Sequence, residues 1–159
     1  MIDDITVGTS GRLVKRIELQ DCTQRGDYRI FATPDLVLLL ELTAIEALAP
    51  HLPPGQSSVG TRVDIAHTAA TLLGQTVTCT ATVTEVDRRR VVFEITANDG
   101  IDDIVAGTHE RFIVDLDKFG SRLAEKAAAV DSLVGREQVE DGTAADVQVV
   151  DDQDVGGSS

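Results

Sequence analysis

Between Thr33 and Arg111 lie four side chains suited to moving a proton or holding a developing negative charge. Thr33 offers a hydroxyl, and Glu41 a carboxylate eight residues later. His67 offers an imidazole that titrates near neutral pH, and Arg111 a permanent cation. Gly60 adds a stretch of backbone with no side chain over it. A hydroxyl, a carboxylate and an imidazole are the parts of nucleophilic or general-base hydrolysis. Each residue also has a plain structural role. Thr33 suits a helix N-cap, Gly60 a strand irregularity, His67 a packed core or interface position, and Arg111 a surface ion pair. Taken singly, none of these signals is specific.

The element that carries Glu41 is residues 33–50, which read as one helix, apolar nearly all round. Thr33 as N-cap and Pro34 at the first helical position start it, and Pro50 with the following His-Leu-Pro-Pro-Gly stops it. A helix apolar on every face is a buried one. With a central Glu it is too short and too polar to span a membrane, which takes roughly 20 apolar residues. At about 100° per residue Asp35 and Glu46 form one polar stripe, and Glu41 lies well over 90° from it, beside Val37, Leu38, Ile45 and Leu48. Glu41 is therefore either inside with a partner for its charge, or at the edge of a partly covered helix, reaching water.

After the helix the apolar period changes from 3.6 to 2. Residues 11–20 before it read as a first strand, and residues 21–30, with neither period, as a connection or a lid over a pocket. From Val59 on, Val59, Thr61, Val63, Ile65 and His67 share one strand face. In residues 75–86, Val77, Cys79, Ala81 and Val83 face one way and five threonines the other. Residues 91–97 and 102–116 complete a run of antiparallel strands around the turn Asn98-Asp99-Gly100, with Gly107 marking a bulge or a close backbone approach. His109 and Arg111 share a face with Ile113. A short helix over residues 118–129 follows. The fold class is α+β, a helix layered on an antiparallel sheet whose open edges invite dimerisation.

Length and composition frame this. A chain of 159 residues suggests one domain, here residues 1–128, followed by a tail at 129–159 that is acidic and reads as disordered. Aromatics make up 3%, so the core must be aliphatic. A net charge of −13 argues against a nucleic-acid partner. Two cysteines, Cys22 and Cys79, make neither a disulfide framework nor a metal cluster, and neither metal nor cofactor is expected. The first residues carry no secretory pattern, which places the protein in the cytoplasm.

From about Ile30 to Phe119 the sequence resembles the fluoroacetyl-CoA thioesterase group of the hotdog-fold thioesterases. The matching runs include Phe31-Ala32-Thr33, Glu41, Ala47-Leu48-Ala49-Pro50, Gly60-Thr61, His67-Thr68-Ala69-Ala70-Thr71, Asp99-Gly100 and Gly107-Thr108-His109-Glu110-Arg111. The resemblance implies a hotdog fold, one long central helix wrapped by an antiparallel sheet. It implies a homodimer with sites at the interface, acting on acyl-CoA. It gives Thr33, Glu41 and His67 as the catalytic set, the Gly60 N–H as donor to the thioester carbonyl, and Arg111 as a residue that orders the site or holds the CoA side. Two departures stand out. Pro34 occupies a position that is Gly in the resembled enzyme, and the Phe-rich lid before the helix is replaced by Cys22 to Tyr28, with Tyr28 its one aromatic. These point to a short-chain acyl-CoA thioesterase of broader range. A hotdog acyl-CoA hydratase or dehydratase, or a non-catalytic acyl-CoA-binding dimer, are the alternatives.

Overall fold

The computed structural model describes residues 4–134. In chain order these form β1 (Ser10–Arg16), β2 (Cys22–Arg25), β3 (Tyr28–Phe31), α1 (Thr33–Leu48), β4 (Gln56–His67), β5 (Thr76–Asp87), β6 (Arg90–Asn98), β7 (Asp103–Asp115) and α2 (Leu116–Val134). An antiparallel sheet runs β1-β5-β6-β7-β4, leaving β1 and β4 as its edges. The chain divides into two compact units, Met1–Arg122 and Leu123–Ser159; the sheet, α1 and all the candidate residues belong to the first. α2 is longer than the short helix expected: strong helix formers run through Leu123–Ala129, and neither Gly nor Pro follows them before the helix ends at Val134. Residues 129–134 of the expected tail are helical, and residues 135–159 lie outside the described residues.

The alternation in β5 does what its period implies. Val77, Cys79, Ala81 and Val83 are sealed from solvent, and they meet α1, which packs chiefly on β1 and β5. From the helix come Leu36, Leu39, Leu40, Ala44, Ala47 and Leu48, all buried. Each of these leucines contributes about 1.5–3 kcal/mol by leaving water, and each alanine under about 1. The helix is not buried all round, however. Leu38, Leu42 and Ile45, one stripe at helical spacing, are 56%, 45% and 41% exposed. Glu41 lies beside this stripe with 35% of its side chain accessible.

Three local expectations change. The N-cap of α1 is Ala32, whose carbonyl accepts the amides of Asp35 and Leu36 at 3.0 Å; Thr33 is already in the first turn, next to Pro34. Residues 22–31 are a hairpin rather than an unstructured connection. That hairpin is fixed to the loop after β4: the Phe31 amide donates to the Thr71 carbonyl at 2.8 Å and the Leu73 amide to the Arg29 carbonyl at 3.1 Å. Its strands are four residues each and mostly exposed, too short and too wet to show a hydrophobic period. Finally, β4 does not keep one phase. Its pairing with β7 slips between Gly60 and Arg62, so Thr61 is an extra residue opposite the Arg111–Glu110 step. Gly60 thus shares a face with Val63, Ile65 and His67, while Val59, paired with Phe112, points the other way.

Candidate active site

The start of α1 and the end of β4 converge. Thr33 Oγ1 and His67 Nδ1 are 2.8 Å apart, hydrogen-bonding distance. The Thr33 hydroxyl is turned to the imidazole, and the helix has no side-chain cap: the Ala32 carbonyl accepts only the ordinary first bonds of the helix. His67 Nε2 is shut off from solvent and, among the described residues, meets no hydrogen-bond partner. Burial pushes the His67 pKa below its ordinary value of 6.5, and the Ala69 backbone opposes this in part. The ring is thus neutral at pH 7. The pair opens into a cavity of about 390 Å³ walled by Thr23, Arg25, Ile30 and Phe31 from the hairpin side and by Thr68–Ala70 beyond β4.

Glu41 belongs to a second group. Its Oε2 is 3.2 Å from Arg111 Nη1, and Arg111 is 3% exposed. The guanidinium is held on all sides: Nε donates to Ser58 Oγ at 2.8 Å, Nη2 to the Ser58 carbonyl at 3.0 Å, and Nη1 faces His109 Nε2 at 3.2 Å. His109 Nδ1 lies 2.8 Å from the Arg62 carbonyl, which only accepts. The proton of His109 must therefore sit on Nδ1, leaving Nε2 as a lone pair toward the guanidinium. Burial, and secondarily the Arg111 charge, lowers the His109 pKa and keeps it neutral. Burial also lowers the Arg111 pKa, against which Glu41 acts. Arg111 is thus a buried cation with a carboxylate partner rather than a surface ion pair.

Gly60 lies over this group. A Cβ built there would lie 2.5 Å from Glu41 Oε2 and 3.2 Å from Arg111 Nη1. The slip in β4 puts bare backbone against the carboxylate, where any side chain would displace it. So the structure brings Thr33 to His67, and Glu41 to Arg111 and Gly60. It does not bring the two groups together: among the described residues no hydrogen bond joins them. Thr33 and Glu41 are eight residues apart on one helix, about 12 Å along its axis at 1.5 Å per residue. Ser58 was not singled out by the sequence, since a serine in an exposed-looking strand has no period or motif to mark it. His109 was visible as a face-mate of Arg111, but not as its hydrogen-bond partner.

A family model for the fluoroacetyl-CoA-specific thioesterase matches residues 14–117. The chain belongs to that family. A fluoroacetyl-CoA thioesterase of Streptantibioticus cattleyicolor is 44% identical over 100 residues, 63% of this chain and 72% of that protein. A solved fluoroacetyl-CoA thioesterase structure superposes with a TM-score of 0.72 at 34% identity, covering 78% of this chain and 98% of that one. A hot-dog-like protein from Thermanaerovibrio acidaminovorans gives 0.70 at 31% identity, over 76% and 91% of the two chains. A thioesterase superfamily member from Thermus thermophilus, 20% identical, gives 0.75 over 80% and 97% and shares the fold. The fold is thus the α+β hotdog fold, with α1 as the long helix against the antiparallel sheet.

Proposed function

We propose that the protein hydrolyses short-chain acyl-CoA thioesters to free acid and CoA, as a homodimer whose two sites are each shared between subunits. The observation that carries this is the 2.8 Å contact between a hydroxyl and a neutral, partly buried imidazole at a cavity, in a chain of this family. Thr33 donates to His67 Nδ1, so His67 acts as base on Thr33 or on a water that Thr33 positions. When water attacks, the substrate carbonyl is polarised by the Gly60 N–H, the tetrahedral intermediate collapses to the free acid, and CoA leaves as thiol with the proton returned by His67. When Thr33 attacks instead, the same collapse leaves an acyl-Thr33 ester, which a water activated by His67 then cleaves to release the acid and restore the hydroxyl. The start of α1 adds positive potential where the oxyanion forms. Glu41, held by Arg111, which Ser58 and His109 hold in turn, supplies the carboxylate that orients water or the imidazole.

The separation of about 12 Å along α1 and the open surfaces support sharing between subunits. β4 is an unpaired sheet edge, and the stripe Leu38, Leu42, Ile45 beside it is apolar and exposed. Antiparallel pairing of two β4 edges about a two-fold axis at Asp64 would set the Gly60–Thr61 bulge of one subunit opposite His67 of the other. Each site then has Thr33 and His67 from one chain and Glu41, Gly60 and Arg111 from its mate. A panel of acyl-CoAs assayed for thiol release, with acetyl-CoA and fluoroacetyl-CoA side by side, tests the reaction. A folded protein that releases no thiol from any ester would sink it. No helix among the described residues is long and apolar enough to cross a membrane, which accords with action on a water-soluble thioester in the cytoplasm.

A further inference from the structure

The hairpin β2–β3 turns one face to the Thr33–His67 cavity. Antiparallel register pairs Thr23 with Ile30 and Arg25 with Tyr28, and side chains alternate along each strand, so Thr23, Arg25 and Ile30 share a face. Those three line the cavity. Its remaining lining is apolar or hydroxylic apart from His67, and contains no Asp or Glu. This is unusual for a chain with 27 Asp+Glu against 14 Lys+Arg. Arg25 is thus the single permanent charge on the wall. Among the described residues it makes no ion pair; its one hydrogen bond, Nη1 to the Gln24 carbonyl at 2.7 Å, steadies the side chain and leaves the other N–H groups of the fork free.

We propose that Arg25 is a specificity-determining residue that receives an anionic acyl terminus, making carboxylate-ended acyl-CoAs such as malonyl-, succinyl- or glutaryl-CoA the substrate class. This rests on the hydrolase reading and sharpens it. A guanidinium fork matches a carboxylate in two parallel hydrogen bonds, a fit that a neutral acyl group cannot use. The phosphates of CoA are a less suitable occupant. The pantetheine arm separates them from the thioester sulfur, whereas an acyl terminus is a few bonds from the carbonyl that Thr33 and His67 address. Thr23, on the same face, offers a hydroxyl to the same oxygens.

The test compares malonyl-, succinyl- and glutaryl-CoA with propionyl-, butyryl- and valeryl-CoA, by thiol release, in the wild type, Arg25→Met and Arg25→Lys. The wild type should favour at least one carboxylate-ended ester over its neutral counterpart by about tenfold in kcat/KM, the scale of a charge-assisted hydrogen bond at a partly wet site. Arg25→Met should erase that gap, chiefly through KM, and Arg25→Lys should restore part of it, with the neutral esters within about twofold throughout. Equal losses for both classes would assign Arg25 to CoA itself and overturn the proposal, as would a wild type that does not discriminate. If no ester releases thiol, the hydrolase reading is what fails, and calorimetric titration with succinyl- and butyryl-CoA decides Arg25 alone. Tighter succinyl-CoA binding that Arg25→Met abolishes upholds it; equal affinities overturn it.

Discussion

Thr33 and His67 sit close enough to share a proton, and burial keeps the imidazole neutral at physiological pH. Removing the proposed base in His67→Ala should lower kcat for thiol release by about 10²–10⁴ while the far-ultraviolet dichroism stays unchanged. A loss below tenfold would move the base elsewhere. The acid limb of kcat/KM against pH should lie below 6.5, because the pKa of His67 is shifted down. The same shift acts on stability. His67 and His109 both take up a proton more readily unfolded than folded. The unfolded chain therefore binds more protons as pH falls through 6.5, and the native state loses ground. Their contribution is intact above pH 6.5 and is lost toward the lower folded values. Thermal melts at pH 7.5 and 5.5 should show the lower midpoint at 5.5. Arg111 makes a different demand: Glu41→Gln leaves a buried cation without its counter-ion. The expected cost is about 2 kcal/mol by urea unfolding, below the 3–5 kcal/mol of a fully enclosed pair because water reaches Glu41.

Among the elements, β4 decides most. Its slip at Gly60 is a one-residue event that reverses which side chains face inward, and period-two reading carried Val59 and Thr61 onto the wrong side for that reason. The four long strands, α1, and the one-sidedness of β5 were legible because apolar spacing writes them directly into the chain. The β2–β3 hairpin was not, since neither strand buries enough to show a period. The Thr33–His67 contact could be suspected from residue types and family resemblance, but the capping rule alone gave Thr33 to the helix. Gly107, read as a bulge or close approach, is the latter: at φ +153° its missing Cβ leaves room for the Asp64 carbonyl of β4. Gly107→Ala should cost about 2–3 kcal/mol, seen as a lower urea midpoint, through backbone strain and displacement of β4. An unshifted midpoint would mean β4 yields there without cost.

For the whole molecule the two separated groups make a sharp prediction. If each proposed site draws His67 from one subunit and Glu41 from the other, then His67→Ala and Glu41→Gln are both inactive alone. Mixed under conditions that exchange subunits, they form heterodimers in which one site is doubly impaired and the other is intact. About half of random dimers are mixed, so roughly a quarter of wild-type thiol release should return. Sites built within one chain would give none. Placing a charge on the open stripe, as in Leu42→Lys, should shift the sedimentation coefficient toward that of a monomer and remove activity with it.

The stitching of the β2–β3 hairpin to residues 71–73 carries one more consequence. The Phe31 and Leu73 amides are both committed, and Thr71 is itself anchored by its hydroxyl to Asp99, whose carboxylate also gathers the Ile101 and Asp102 amides. The cavity wall thus shares its fate with the β6–β7 turn across the sheet. Deuterium uptake at Phe31 should be as slow as in the core strands, and Asp99→Ala should quicken it together with that turn. If the cavity takes the substrate as proposed, the base of its wall is already in place, and turnover need not wait for that part to form.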